Sequence, residues 1–176
     1  MCAPVALAEL ADLAPYLVVS LSEWQTYGLF FLLGSFAVAS LSDIRHLSAQ
    51  REFMEFWIVF ALVMLVLDAA AAGFALGAPL LAKWALVALL SVLSWERVGG
   101  VFALARADVA ALAAAASLLS AFLVVLFFLF AKALSYPLGR LLRKGQYYPF
   151  LPVVTLATIV LMAVALWLPP FFPRPS

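Results

Sequence analysis

The sequence predicts an all-α fold, a polytopic bundle of six transmembrane helices that forms a single membrane domain over residues 1–176. Of these residues, 68% are hydrophobic and 11% are charged, and the mean hydropathy is +1.18. A soluble domain is about 25% charged, so this chain has too few polar residues to cover a water-exposed surface. Its apolar runs are continuous rather than alternating, which indicates helices, and with their flanks several reach the roughly 20 residues that cross a bilayer.

Charged and turn-forming residues mark the ends of the predicted spans. We place the first, second, third and last spans at residues 24–41, 53–73, 80–95 and 149–168. Residues 1–23 contain acids but no Lys or Arg, whereas a cleavable signal peptide would begin with a basic region. We therefore interpret residues 1–23 as an extracytoplasmic lead-in and expect the Pro-rich residues 169–176 to form a frayed tail.

Residues 107–139 form an apolar segment of ambiguous length. As one helix, the segment would be about 50 Å long, which exceeds one ordinary span. If the chain instead reverses near residues 117–120, most of its basic residues lie on one side of the membrane, as expected for cytoplasmic loops. These are Arg45, Arg51, Arg97, Arg106, Arg140, Arg143 and Lys144. We therefore predict two spans here, the fourth being short, and both termini outside the cytoplasm.

Few residue types are available for chemistry. Cys2 and His46 are the only residues of their kinds, which excludes an internal disulfide and a zinc site built from cysteines or paired histidines. The formal charge is +1 without a long basic run, so the chain has no electrostatic footprint for nucleic acid. Ionisable side chains near membrane spans are costly and are therefore the functional candidates.

Two aspartates are predicted at the same membrane boundary. Asp43 follows the first span and Asp108 opens the fourth, both on the predicted cytoplasmic side. Alanines after Asp108 would let its helix pack closely against others. Two carboxylates held within a few ångströms share one proton, which gives an acid and a base for attack of water on a peptide carbonyl. The alternative is that both aspartates only cap helices or interact with helix dipoles.

Asp68 and Lys83 are expected to form a structural ion pair. Asp68 lies shortly before the turn at residues 73–79, and Lys83 lies shortly after it. The two side chains should therefore reach similar depths on adjacent antiparallel helices. A less favoured hypothesis is a small transporter or channel in which this pair lines a polar path, but no pair of discontinuous helices supports it.

Three segments, taken in order, resemble a known family. They are residues 42–45 (SDIR), residues 107–112 (ADVAAL) and residues 149–152 (PFLP). Together they resemble the archaeal preflagellin and type IV prepilin peptidases, which are GxGD-type membrane aspartic proteases. The resemblance covers residues 34–166, and the small size suits the archaeal branch. The cysteine-rich cytoplasmic insert of many longer bacterial relatives is not recognisable here.

The resemblance implies an endopeptidase with catalytic Asp43 and Asp108 and with no metal or organic cofactor. Its partners would be pilin- or flagellin-like precursors of type IV pili or archaella. Such a precursor has a short basic leader, a cleavage site at the cytoplasmic boundary and then a hydrophobic helix. Glu52, Glu55 and Glu96 are candidates to bind the leader's basic residues, although solvated loop acids are the other interpretation.

The sequence also departs from the family pattern. The glycines that usually precede the second aspartate are replaced by Ala105 and Arg106, and alanine restricts backbone conformations that glycine allows. An alternative function is therefore a catalytically inactive relative that binds pilin-like helices or supports their assembly.

Overall fold

The computed structural model describes residues 21–46, 51–73, 77–142 and 149–167, and the regular secondary structure of these residues is six helices. They are α1 (Glu23–His46), α2 (Arg51–Ala71), α3 (Ala78–Ser94), α4 (Arg106–Ser117), α5 (Ala121–Leu142) and α6 (Leu151–Trp167). The all-α class and the helical bundle are thus confirmed. Most of the predicted lead-in, the predicted tail, Arg143 and Lys144 lie outside the described residues.

The helices differ in their capacity to cross a membrane. Three of those in the described part of the chain, α1, α2 and α5, are long and apolar enough to span a bilayer. Helices α3 and α6 are apolar but have 17 residues each. Helix α4 has 12 residues and is about 18 Å long, so the prediction of a short fourth helix is confirmed. The protein is therefore membrane-associated through its long apolar helices.

Helix α4 lies inside the bundle because its side chains are small. It packs against α2, α3 and α6, and its buried residues are Ala110, Ala111, Leu112, Ala114, Ala115, Ala116 and Ser117. Small side chains let helix backbones approach closely in a membrane protein. The alanine-rich sequence thus makes α4 the central helix, around which the longer helices are arranged.

The break between α4 and α5 has a local cause. The Ser117 hydroxyl donates to the Ala114 carbonyl at 2.7 Å, and the Val124 amide donates to the Ser120 carbonyl at 2.9 Å, which begins the next helix. The Lys132 ammonium, in the middle of α5, donates to the carbonyl of Val101, just before α4 begins. The chain therefore reverses direction between α4 and α5, as the two-span interpretation predicted.

Residues 95–105 fold back onto the end of α3 instead of projecting away from it. The Val101 amide donates to the Leu93 carbonyl at 2.9 Å, and the Leu104 amide donates to the Ser94 carbonyl at 3.0 Å. The Phe102 ring is buried and packs edge-on against Phe150 with 5.2 Å between ring centroids. This loop therefore holds the start of α4 next to the start of α6.

The close packing of α4 can be tested by enlarging one alanine. Ala111 is fully buried, whereas Ala113 on the same helix is partly exposed. We expect Ala111→Leu to destabilise the protein by about 1–3 kcal/mol through overpacking, and Ala113→Leu to have a smaller effect. Thermal unfolding in detergent micelles measures both changes. Equal unfolding temperatures for the two variants would show that α4 is not closely packed.

Candidate aspartate site

Asp43 lies in the last turn of α1 and contacts the first turn of α6. Its side chain is buried, with the residue 7% exposed. Its Oδ2 accepts a hydrogen bond from the Leu151 amide at 3.3 Å, and the Phe150 amide also donates to the carboxylate. The sequence placed Asp43 just after the first span, but α1 continues to His46. The carboxylate therefore belongs to a continuous helix that faces α6.

The start of α6 has few backbone amides that need a partner outside the helix, so one carboxylate can satisfy them. The first amides of a helix have no partner within the helix. Pro152 has no amide hydrogen, and the Val153 amide donates to the Phe150 carbonyl at 2.8 Å. The Phe150 and Leu151 amides are thus the ones that Asp43 satisfies. The segment at residues 149–152 therefore begins α6 with backbone amides that donate hydrogen bonds to a carboxylate of α1.

Asp108 lies in the first turn of α4 and is partly buried. An acid at this position interacts favourably with the helix dipole, so part of its role is structural. The preceding N-cap residue, Ala105, has φ −64° and ψ 159°. Alanine adopts this extended conformation without strain. The backbone at Ala105 therefore has no conformational requirement for the glycine that the family pattern carries.

The structure brings the two aspartates together. The carboxylates of Asp43 and Asp108 lie close enough for electrostatic repulsion between them, although 64 residues lie between them along the chain. Where two carboxylates interact in this way, the ionisation of one disfavours the ionisation of the other. The titration of such a pair belongs to both residues together. This arrangement can supply an acid and a base at one place.

Two hydroxyl groups next to Asp43 complete the contact between α1 and α6. The Ser40 and Thr155 hydroxyls are hydrogen-bonded at 2.9 Å, and the Thr155 hydroxyl also donates to the Leu151 carbonyl at 3.0 Å. Neither hydroxyl residue was predicted from the sequence. Their positions, one helical turn from Asp43 and from Leu151, were the available signal. They fix the helix ends that present the Asp43 carboxylate.

The three glutamates proposed to bind a basic leader are all exposed. Glu55 pairs with Arg51, with 2.6 Å between Oε1 and Nε, so its charge is partly balanced. The Glu96 amide donates to the Leu104 carbonyl, which places this residue in the loop at residues 95–105. The structure leaves these carboxylates in solvent-accessible positions and assigns them no shared site.

The predicted ion pair between Asp68 and Lys83 is confirmed. The Lys83 ammonium lies 2.6 Å from Asp68 Oδ2, and both side chains are mostly buried. The indole Nε1 of Trp84 donates to the same oxygen at 3.0 Å. The charge of each partner is compensated locally by these contacts. This arrangement supports a structural role rather than a polar transport path.

Similarity to known proteins gives no assignment for this chain. No protein-family model, no curated protein and no solved structure matches it at a significant level. The residues at the aspartate site are therefore the basis for assigning a function to this chain.

Proposed function

We propose that the protein is a membrane aspartic endopeptidase that removes the short basic leader from prepilin- or preflagellin-like precursors. Asp43 and Asp108 are its catalytic pair. The observation that carries this proposal is the interaction of two carboxylates from the end of α1 and the start of α4. The segment at residues 149–152 adds to it, because its amides hold one of those carboxylates.

The pair would hydrolyse a peptide bond with one shared proton. The carboxylate accepts a proton from water while the water oxygen attacks the peptide carbonyl carbon, and the partner acid protonates the carbonyl oxygen. In the second step the group that accepted the proton from water donates it to the amide nitrogen, and the C–N bond breaks. The group that protonated the carbonyl oxygen removes a proton from a hydroxyl of the tetrahedral intermediate. One acid and one carboxylate are thereby regenerated.

The position of the pair fits a substrate cut at a membrane boundary. Arg45, Arg97 and Arg106 are exposed at the same end of the bundle as the pair, and an excess of basic residues marks the cytoplasmic side. We therefore place the aspartates at the cytoplasmic boundary. A precursor whose hydrophobic helix lies in the bilayer would present its scissile bond there, with its basic leader near Glu52, Glu55 and Glu96.

A reconstituted cleavage assay tests this function. The full chain is placed in lipid vesicles with a precursor that carries a basic leader followed by a hydrophobic helix. We expect a shortened product whose new N-terminus, read by mass spectrometry, lies at the leader boundary. A precursor of unchanged mass after prolonged incubation would reject the proposed activity.

The second candidate is an inactive relative that binds pilin-like helices. It is favoured by the structural roles of both aspartates, since Asp43 satisfies amides of α6 and Asp108 lies in the first turn of α4. It predicts that the purified protein retains the precursor in a pull-down but never shortens it. Cleavage should then remain absent even in the variant carrying Ala105→Gly and Arg106→Gly.

A further inference from the structure

A second site lies between α2, α3 and α4, away from the contact of α1 with α6. It is an open apolar cavity of about 430 Å³, lined by Met54, Ile58, Ser91, Val92, Trp95, Arg106 and Val109. This volume falls within the roughly 300–1,000 Å³ of ligand pockets. Its lining includes no residue of α1 or α6, the helices that meet at Asp43.

The cavity opens toward the lipid-facing surface of the bundle. Ile58 of α2 and Val92 of α3 are 45% and 53% exposed at its rim. In an apolar stretch of 18 residues within α2, only 11% is buried inside the protein. A hydrocarbon chain from the surrounding bilayer can therefore enter the cavity from the side without crossing a polar surface.

Two arginines lie beside the cavity without an acidic partner among the described residues. The guanidinium groups of Arg97 and Arg106 lie 5.0 Å and 5.9 Å from the Trp95 ring centroid, and both residues are exposed. The salt bridges in the described ranges join Arg51 to Glu55 and Lys83 to Asp68. The guanidinium groups at the cavity are thus available to an anion.

Two buried polar atoms in the cavity wall also lack a hydrogen-bond partner within the described structure. They are Ser91 Oγ and Trp95 Nε1. A buried polar group without a partner is unfavourable. An acceptor oxygen in the cavity would relieve this once either side chain turns toward it. Both atoms are buried, so they become donors to a bound molecule only after such a rotation.

We propose that this cavity binds an anionic phospholipid. One hydrocarbon chain fills the apolar space, and the phosphate lies between Arg97 and Arg106, in the manner of basic pockets between membrane helices. The positive charges of Arg97 and Arg106 beside the cavity favour an anionic lipid over a precursor that carries a basic leader. This proposal does not depend on catalysis by the aspartates.

Native mass spectrometry of the full chain in neutral detergent tests this site. The protein is titrated with phosphatidylglycerol and, separately, with phosphatidylcholine that has the same hydrocarbon chains. We expect phosphatidylglycerol to bind about 25-fold more tightly, since each arginine contributes about a fivefold preference. Arg97→Gln and Arg106→Gln should each reduce that preference about fivefold.

Tryptophan substitutions at the rim test whether the lipid binds inside the cavity. Val92→Trp and, independently, Ile58→Trp should abolish the tight phosphatidylglycerol site. Their matched control is Val125→Trp, at an exposed apolar position of α5, and the control for the arginines is Arg140→Gln, outside the cavity lining. Circular dichroism confirms that each variant is folded.

Three results would overturn the lipid assignment. The first is equal affinity for the two lipids, and the second is tight phosphatidylglycerol binding that survives both tryptophan substitutions. The third is a hydrophobic precursor peptide that binds in a manner sensitive to Val92→Trp while neither lipid does, which would assign the cavity to a polypeptide.

Discussion

Asp43→Asn and Asp108→Asn are each expected to lower the rate of leader cleavage by about 10²–10⁴-fold. An asparagine amide can neither accept the proton of the attacking water nor protonate the peptide carbonyl. The fold should persist in Asp43→Asn, because the side-chain carbonyl of asparagine still accepts the amides of Phe150 and Leu151. Cleavage of a precursor in vesicles, followed by mass spectrometry over time, measures the loss.

Two control variants separate catalysis from structure. Asp43→Ala removes the acceptor as well as the charge, so it should also destabilise the protein by about 1–3 kcal/mol through unsatisfied amides. Glu23→Gln neutralises an exposed carboxylate at the start of α1, away from the proposed leader site, and should leave most of the cleavage rate intact. Wild-type cleavage by either asparagine variant would eliminate the aspartate mechanism, whatever its effect on stability.

Lys83→Met is expected to destabilise the folded protein by about 3–5 kcal/mol, because it leaves the buried charge of Asp68 without its partner. The two groups lie 2.6 Å apart and are 11% and 16% exposed at their side chains. The remaining hydrogen bond from Trp84 to Asp68 cannot neutralise a carboxylate. Reversible unfolding in mixed micelles measures the free energy.

A double variant tests whether the unpaired charge of Asp68 causes the loss of stability. Asp68→Asn combined with Lys83→Met removes both charges and keeps an oxygen that can accept from Trp84, so most of the lost stability should return. Lys132→Met, at an exposed lysine of α5, is the matched control and should cost about 1 kcal/mol. If Lys83→Met has no larger effect than Lys132→Met, the ion pair does not stabilise the bundle, and the transport hypothesis regains support.

Hydropathy and charge order alone predicted the helices, because both are properties of short stretches of chain. A helix in lipid must satisfy its own backbone hydrogen bonds, so each apolar run becomes a helix whatever surrounds it. The reversal before α5 followed from the positions of the basic residues, and the Asp68–Lys83 pair followed from counting residues on either side of one turn. The end of α1 was less predictable, since the polar residues after Leu41 continue the helix to His46.

The tertiary structure decided how the site is held. The hydrogen bonds from α6 to Asp43 and the contact of Ser40 with Thr155 join segments that are more than 100 positions apart. The return of residues 95–105 onto α3 and the cavity beside Arg106 also depend on the packing of separate helices. Hydrophobicity is read from each residue in turn, whereas hydrogen bonds and cavities depend on distances between helices, which composition and periodicity do not contain.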